Sequence, residues 1–335
     1  MKSFMTKRKI VHIGMGKTGT TILQREVFPK LCKSIKYTFL RCNSSQIKKH
    51  LLKLELNKKA SPLKIPEKFF VSCEQLYGWD PYYWEEYAKK NQIAFGKKSH
   101  ILITIREPIS YLTSIYVQML HQGNILKPKQ FFLESEMYSE RLNTPKFAID
   151  QFSFKRLINI YLDKFNYVTI QKYETLKQLD FIKFLFQINE EELIDLKNKI
   201  TSSFTNRLFS KKAVNLTFKL HNFLNLFEYS FNNSQFNTSL SKIKQARELE
   251  ALNNISDLPF NKVRESKEYT KLREFRNHLL REFKWRYFIQ NRFDRIFPYE
   301  KFKLDFKKLP YINIGELNLE YEKLPQFKTY KNENS

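Results

Sequence analysis

Short apolar segments alternate with amphipathic segments over the first half of the chain. Continuous apolar runs of this kind, rich in β-branched and aromatic residues, are typical of parallel strands covered on both faces. Helical spacing of apolar residues between several of them predicts crossover helices. The pattern therefore predicts a doubly wound α/β fold around a central parallel sheet of about five strands. These strands are expected at residues 10–13, 35–40, 69–73, 101–105 and 167–171.

The second half of the chain has a different pattern. Beyond about residue 202 no strand pattern is visible, and helical periodicity is found over residues 213–227, 239–253 and 266–291. We therefore expect three regions. These are an α/β core over residues 1–215, a helical extension over residues 216–325 packed on or beside it, and a polar tail over residues 326–335.

The composition limits the class of protein. No apolar run among the 335 residues approaches the roughly 18–20 needed to span a bilayer. The first apolar segment leads directly into a glycine-containing loop, which is unlike a signal peptide. The three cysteines, Cys32, Cys42 and Cys73, are odd in number and widely spaced, so we expect neither a disulfide nor a metal cluster. Together these features predict a cytoplasmic protein in a reducing compartment.

The charge balance favours anionic partners. Lysine and arginine number 59 against 34 acidic residues, a net charge of +25. This charge suits a nucleotide, an acidic glycan or the surface of an anionic membrane as a partner. Peripheral contact with such a membrane is therefore one expectation. The lysines are spread along the whole chain, however, which is also typical of a compositional bias towards Lys, Asn, Ile and Phe. No nucleic-acid-binding module is visible, so no nucleic acid is expected as a partner.

The sequence IVHIGMGKTGTT over residues 10–21 carries the strongest chemical signal. An apolar strand leads into Gly14 and Gly16, then into a helix start near Thr20. Backbone N–H groups and the positive end of the helix dipole converge there on a group the size of phosphate, and Lys17 adds a full charge. We expect this loop to bind a phosphorylated or sulfated molecule.

Two familiar loops fit these residues poorly. The NTPase motif GxxxxGK[ST] needs a glycine five residues before Gly16, where the chain has Val11. The dinucleotide motif GxGxxG matches in letters, but the next predicted strand is followed by Arg41 where an acidic residue is expected. A basic residue there could accept a 2′-phosphate, so this alternative stays open.

The loop resembles the 5′-phosphosulfate loop of the sulfotransferases that use 3′-phosphoadenosine 5′-phosphosulfate (PAPS). A second segment, ILITIREPISYLTSIYVQ from residue 101, resembles the 3′-phosphate motif of the same family, with Arg106 at a strand end and Ser114 eight residues later on a helix. The resemblance covers residues 8–215 in outline. It implies a P-loop-like three-layer fold and PAPS as co-substrate, with no metal. The donor-binding residues would be Gly16, Lys17, Thr18, Gly19, Thr20, Thr21, Arg106 and Ser114.

Glu74 follows the third predicted strand and resembles the strand-end glutamate that acts as base in carbohydrate sulfotransferases. A helix-capping or salt-bridged carboxylate is the alternative. Arg207, in the segment TNRLFS, resembles a later family segment and is a weaker candidate for contact with the donor. Five aromatic residues after Glu74 could stack on sugar rings or belong to the core: Tyr77, Trp79, Tyr82, Tyr83 and Trp84.

The resemblance implies transfer of a sulfuryl group from PAPS to a hydroxyl or amine of a carbohydrate or glycolipid, with Lys17 and Glu74 as the catalytic residues. Two alternatives remain at this stage. One is a P-loop-type nucleotide kinase or other phosphotransferase. The other is a basic protein that binds anions or nucleic acid without catalysis.

Overall fold

The computed structural model describes residues 9–55, 58–121, 126–138, 146–198, 209–226, 296–297, 299–309 and 311–332. Its centre is a six-stranded sheet in the order β2-β3-β1-β4-β7-β8. The first five of these strands are parallel, and β8 is antiparallel to β7. The strands are β1 Ile10–His12, β2 Thr38–Arg41, β3 Phe69–Ser72, β4 His100–Ile105, β7 Tyr167–Lys172 and β8 Phe327–Lys331. A separate two-stranded sheet contains β5 Phe132–Leu133 and β6 Phe147–Ala148.

The five predicted parallel strands all form, and apart from the start of β2 their ends lie within one residue of the predicted ones. Strand β2 begins at Thr38 rather than near residue 35. Lys36 lies in the left-handed region with a φ of 57°, and the Tyr37 N–H donates to the carbonyl of Cys32. The apolar residues before Thr38 therefore end the preceding helix instead of starting the strand.

Helices cover the sheet, as the α/β pattern predicts. Helix α1 continues through a π-helical segment, Leu23–Val27, into α2, so the chain is helical without a break from Thr20 to Ser34. No helix in the described ranges is long and apolar enough to cross a membrane. The helices are α1 Thr20–Ile22, α2 Phe28–Ser34, α3 Ser45–Glu55, α4 Trp84–Phe95, α5 Pro108–His121, α6 Pro128–Phe131, α7 Phe154–Lys164, α8 Asp180–Phe186, α9 Glu190–Asn198, α10 Lys211–Leu226 and α11 Ile314–Lys323.

Two hydrophobic cores lie on opposite faces of the sheet because successive strand residues point to opposite sides. Ile10, Phe70 and Leu102 pack against α2, α8 and α9. Their neighbours in the strands, Val11 and Val71 among them, pack against α4, α5 and α7 on the other face. The arrangement of helix, sheet and helix is compatible with a three-layer α/β fold.

The C-terminal residues correct the sequence prediction. Residues 327–331, expected in a polar tail, form the edge strand β8 and pair with β7 from Tyr167↔Lys331 to Gln171↔Phe327. The expectation that no strand follows residue 202 is therefore also wrong. The strand sequence FKTYK does not alternate strictly between apolar and polar residues, and this hid the strand in the sequence.

Of the three predicted C-terminal helices, the first is confirmed as α10. The other two, at residues 239–253 and 266–291, lie outside the described residues. Helix α11 contacts α5 and α7, so this part of the predicted extension packs directly on the core.

The cysteines also correct the prediction. Cys42 and Cys73 form a disulfide, with their Cα atoms 4.9 Å apart. They follow the ends of the adjacent parallel strands β2 and β3, which places them side by side although 31 positions separate them in sequence. Cys32 is free and buried. Because this disulfide is present, the cysteines no longer support the expectation of a reducing compartment.

The disulfide is expected to stabilise the fold. Replacing Cys42 by serine should lower the free energy of unfolding by about 2–4 kcal/mol, because the cross-link restricts the unfolded chain. Urea unfolding followed by circular dichroism would measure this. Dithiothreitol should lower the midpoint of the wild type to that of Cys42→Ser and leave the variant unchanged. Equal stability of the oxidised wild type and the variant would contradict the prediction.

Candidate functional site

The carboxyl ends of β1, β3, β4 and β7 meet at one edge of the sheet. The chain leaves β1 towards β2 on one side, whereas it leaves β4 towards β7 on the other. Open α/β sheets bind ligands in the crevice at such a reversal. Lys17 follows β1 and Arg106 follows β4, so two of the predicted residues border this crevice.

The glycine loop after β1 contains two residues in the left-handed region, Lys17 with a φ of 69° and Gly19 with a φ of 75°. A non-glycine residue there costs about 1–3 kcal/mol and persists only where its surroundings hold it. A Cβ at Gly19 would lie 2.7 Å from Leu176 Cδ2, so the loop packs closely on the segment after β7. Helix α1 begins at Thr20, and its first N–H groups lack acceptors within the helix.

A buried hydrogen-bond network lies beneath this loop. His12 Nδ1 is 2.7 Å from Ser72 Oγ, and its Nε2 is 3.3 Å from Thr104 Oγ1. Thr104 Oγ1 is 2.7 Å from Thr18 Oγ1, which also donates to the Met15 carbonyl. The network joins β1, β3 and β4 to the loop. The Thr18 side chain therefore holds the loop from inside, which leaves only its backbone for a bound anion.

Burial lowers the pKa of His12 to about 3. The imidazole is neutral at physiological pH, so one ring nitrogen donates and the other accepts. Each ring nitrogen has a partner, so His12 is a core residue with its hydrogen bonds satisfied.

Glu74 lies beside the glycine loop. It is the first residue of the 3₁₀ turn Glu74–Tyr77, directly after the disulfide-bonded Cys73. Thr20 Oγ1 donates to Glu74 Oε2 at 2.6 Å. The Thr20 hydroxyl thus holds the carboxylate at the start of α1, while the neighbouring Thr21 is exposed. The carboxylate therefore lies at the carboxyl edge of the sheet, next to the glycine loop.

Two buried tyrosines support the same region from below. The hydroxyls of Tyr77 and Tyr111 are 3.0 Å apart. Burial raises the pKa of Tyr77 to about 12, although hydrogen bonds from Tyr111 and from the Gly16 backbone oppose this shift. Burial also raises the pKa of Tyr111 well above its ordinary value. Both phenols stay protonated at neutral pH, and a hydrogen bond joins them.

Arg106 connects the two predicted anion-binding motifs. Its Nη1 donates to the Lys17 carbonyl oxygen at 3.0 Å and to Ser114 Oγ at 3.2 Å. The spacing of eight residues places Ser114 on α5 within reach of the guanidinium, as the sequence predicts. The guanidinium also lies 4.8 Å from the centre of the Tyr173 ring.

The remaining predicted residues have separate outcomes. Arg207 lies outside the described residues. Of the five aromatic residues after Glu74, Tyr77 and Trp84 are buried and belong to the core. Trp79, Tyr82 and Tyr83 are 37%, 47% and 39% exposed, and the Tyr82 ring stacks on Tyr138 at 4.6 Å.

Buried Asp80 anchors this aromatic loop. Its carboxylate accepts from the Tyr138 hydroxyl at 2.6 Å and from the Ala148 N–H at 2.9 Å. Burial raises the pKa of Asp80, although these hydrogen bonds oppose the shift. The loop is thereby tied to the small β5–β6 sheet.

Several residues of the site carried no functional signal in the sequence. Ser72, Thr104 and Tyr111 lie on buried elements, where their polar groups resemble ordinary interruptions of apolar runs. Glu174 and Tyr321 come from distant segments, and they meet only through the packing of α11. A polar residue inside a buried strand, such as His12 or Thr104, was the one available indication of a network.

A search of protein-family models and a search of curated proteins each find no match for this chain. Among the described residues, no group of three or more His, Cys, Asp or Glu side chains is arranged to hold a metal ion.

Gly14 and Gly16 are expected to respond differently to alanine. A Cβ at Gly14 would lie 2.4 Å from both His12 Nε2 and Thr104 Oγ1, inside the buried network, whereas a Cβ at Gly16 would meet only the Tyr77 hydroxyl oxygen, at 3.9 Å. Gly14→Ala should therefore destabilise the fold by about 3 kcal/mol or prevent folding. Gly16→Ala should change stability by less than about 1 kcal/mol.

Chemical denaturation of the two variants measures this difference. Similar stabilities for both would show that the network does not constrain the loop.

Proposed function

We propose that the protein is a sulfotransferase that moves a sulfuryl group from PAPS to a hydroxyl or amine acceptor. One observation carries the proposal: Arg106 bonds to both Ser114 and the Lys17 carbonyl, so two anion-binding motifs share one crevice. A donor with phosphate groups at both its 5′ and 3′ positions matches such a pair. The P-loop-like identity of the fold is part of the same proposal.

The glycine loop would hold the 5′ end of the donor. Backbone N–H groups from Thr18 to Thr21 lie at and just before the start of α1, where the helix dipole favours negative charge. Arg106 and Ser114 would hold the 3′-phosphate, because a guanidinium and a hydroxyl form charge-assisted hydrogen bonds with a dianion. Two anchors fix the donor and leave the reacting sulfur in a defined position.

Lys17 and Glu74 would carry the chemical step. As the bond between sulfur and the bridging phosphate oxygen breaks, Lys17 stabilises the negative charge that develops on that oxygen. A new bond forms between sulfur and the acceptor atom, and the acceptor proton passes to Glu74. The products are adenosine 3′,5′-bisphosphate and the sulfated acceptor, so charge and atoms balance without another reactant.

A carbohydrate or glycolipid is the acceptor that these surroundings favour. Trp79, Tyr82 and Tyr83 expose aromatic rings in the segment that follows Glu74. Exposed rings offer apolar faces with polar tips, which suits sugars. The hydrogen bonds of Asp80 hold this segment in place.

Nucleotide binding provides the first test. In a thermal shift assay, adenosine 3′,5′-bisphosphate should raise the melting temperature strongly, whereas 5′-AMP and ATP with Mg²⁺ should have small effects, because stabilisation follows affinity. Ser114→Ala should reduce the shift with the bisphosphate and leave that with 5′-AMP unchanged. The unchanged shift with 5′-AMP would thus show that the variant is still folded.

Equal shifts with the bisphosphate and 5′-AMP would contradict the second phosphate site. A dominant shift with ATP and Mg²⁺ would favour the kinase alternative. No shift with any nucleotide would favour the basic anion-binding protein.

Transfer kinetics provide the second test, with ³⁵S-labelled PAPS and a panel of neutral and amino oligosaccharides as acceptors. Lys17→Ala should slow transfer by about 10²–10³, the usual effect of losing one preorganised electrostatic donor. Glu74→Gln should slow it by about 10²–10⁴, as expected for a general base, and leave affinity for the bisphosphate nearly unchanged.

Lys33→Ala and Glu67→Gln are matched controls, because both side chains are exposed and lie outside the site. Their transfer rates should equal that of the wild type. A Glu74→Gln variant that transfers at the wild-type rate would remove Glu74 as the base.

A further inference from the structure

The register of β4 and β7 places two short segments side by side. Ile105 pairs with Lys172, the last residue of each strand. The residues that follow are therefore neighbours as well: Arg106 and Glu107 after β4, Tyr173 and Glu174 after β7. Arg106 belongs to the proposed 3′-phosphate site, so Tyr173 and Glu174 lie next to that site.

Contacts join the two segments residue by residue. The Arg106 guanidinium lies over the Tyr173 ring, 4.8 Å from its centre. The Glu107 backbone N–H donates to Glu174 Oε1 at 3.2 Å. The Glu107 carboxylate in turn accepts the N–H groups of Ile109 and Ser110 at 2.9 and 2.8 Å, which caps the start of α5. The backbone that carries Arg106 is thereby fixed between α5 and Glu174.

The C-terminal helix α11 completes this arrangement. The Tyr321 hydroxyl donates to Glu174 Oε2, so each oxygen of that carboxylate has a donor. The Tyr321 ring packs on Phe154 at 5.7 Å, and the Lys172 ammonium lies 4.4 Å from its centre. Tyr321 is only 7% exposed. Its ring is thus held by packing, and its hydroxyl is aimed at Glu174.

The electrostatics keep the hydroxyl in its role as donor. Burial, followed by the hydrogen bond to Glu174, raises the pKa of Tyr321. A protonated phenol next to a carboxylate forms a charge-assisted hydrogen bond, which is stronger than a neutral one. Glu174 itself is exposed, so without this bond its side chain would have rotamer freedom at the surface.

We propose that Tyr321 is a positioning residue for the 3′-phosphate site. Tyr321 holds Glu174, Glu174 holds the turn at Glu107, and the turn presets the guanidinium of Arg106 for a phosphate monoester. Groups that are preset before binding lose less entropy when the ligand arrives, which raises affinity. The inference rests on the proposed function, and it makes the C-terminal segment part of the donor site.

The variant Tyr321→Phe tests this role, because it removes the hydroxyl and keeps the ring that packs on Phe154. Isothermal titration calorimetry with adenosine 3′,5′-bisphosphate should show an affinity about 3- to 10-fold lower, the effect of one lost hydrogen bond. The affinity for 5′-AMP should change less than twofold. The ratio of the two affinities therefore isolates the 3′-phosphate site.

Tyr330→Phe is the matched control. Tyr330 belongs to the same C-terminal segment, but it pairs with Val168 near the other end of β7. The Tyr330→Phe variant should bind adenosine 3′,5′-bisphosphate and 5′-AMP with the affinities of the wild type. Glu174→Gln should behave as Tyr321→Phe does, and the double variant should lose little more than the larger single effect, because both residues act through the same contact.

The outcomes separate the inference from the proposed function. Equal losses of affinity for both nucleotides in Tyr321→Phe, or no loss for either, would overturn the positioning role. A wild type that binds 5′-AMP as tightly as the bisphosphate would instead overturn the 3′-phosphate site itself, and the positioning role with it.

Discussion

Strand β1 is buried between two parallel neighbours, and every polar group that it carries has to be satisfied by them. The buried, neutral ring of His12 meets this constraint by bonding to Ser72 on β3 and Thr104 on β4. Thr104 also contacts Thr18, so the same network reaches the glycine loop. An unsatisfied polar group at this depth would cost about 1–3 kcal/mol, and the side chains of the three strands are therefore fixed relative to one another. The position of the loop follows from this bonding.

The fixed loop brings Lys17 next to Arg106 at one edge of the sheet. Lys17 adopts a left-handed conformation and Arg106 bonds to the Lys17 carbonyl, so the two residues form a cluster at that edge. The carboxylate of Glu74 is held against Thr20 at the border of this cluster. The juxtaposition of the glycine loop, Arg106 and one carboxylate is the basis of the proposed sulfuryl transfer.

The C-terminal segment supports this edge from outside the α/β core. Strand β8 pairs along β7, and helix α11 packs against α5 and α7. The pairing and the packing together bring Tyr321 to Glu174. The C-terminal segment, which the sequence predicts to be a helical extension and a polar tail, is thereby joined to the site through the Glu174 carboxylate. The disulfide between Cys42 and Cys73 links the ends of β2 and β3, at the end of the sheet away from β8 and next to Glu74 in sequence.

Sequence patterns alone were enough to predict the five parallel strands, the glycine loop and the helix that brings Ser114 to Arg106. Each depends on local periodicity or on a spacing of a few residues, because strand and helix geometry repeat over short distances. Other features became visible only in the three-dimensional fold: Thr18 faces the interior, Cys42 meets Cys73, residues 327–331 form a strand, and Tyr321 bonds to Glu174. Tyr321 and Glu174 are 147 positions apart, and no local pattern encodes such a contact. It arises because the order and register of the sheet bring distant segments to one edge.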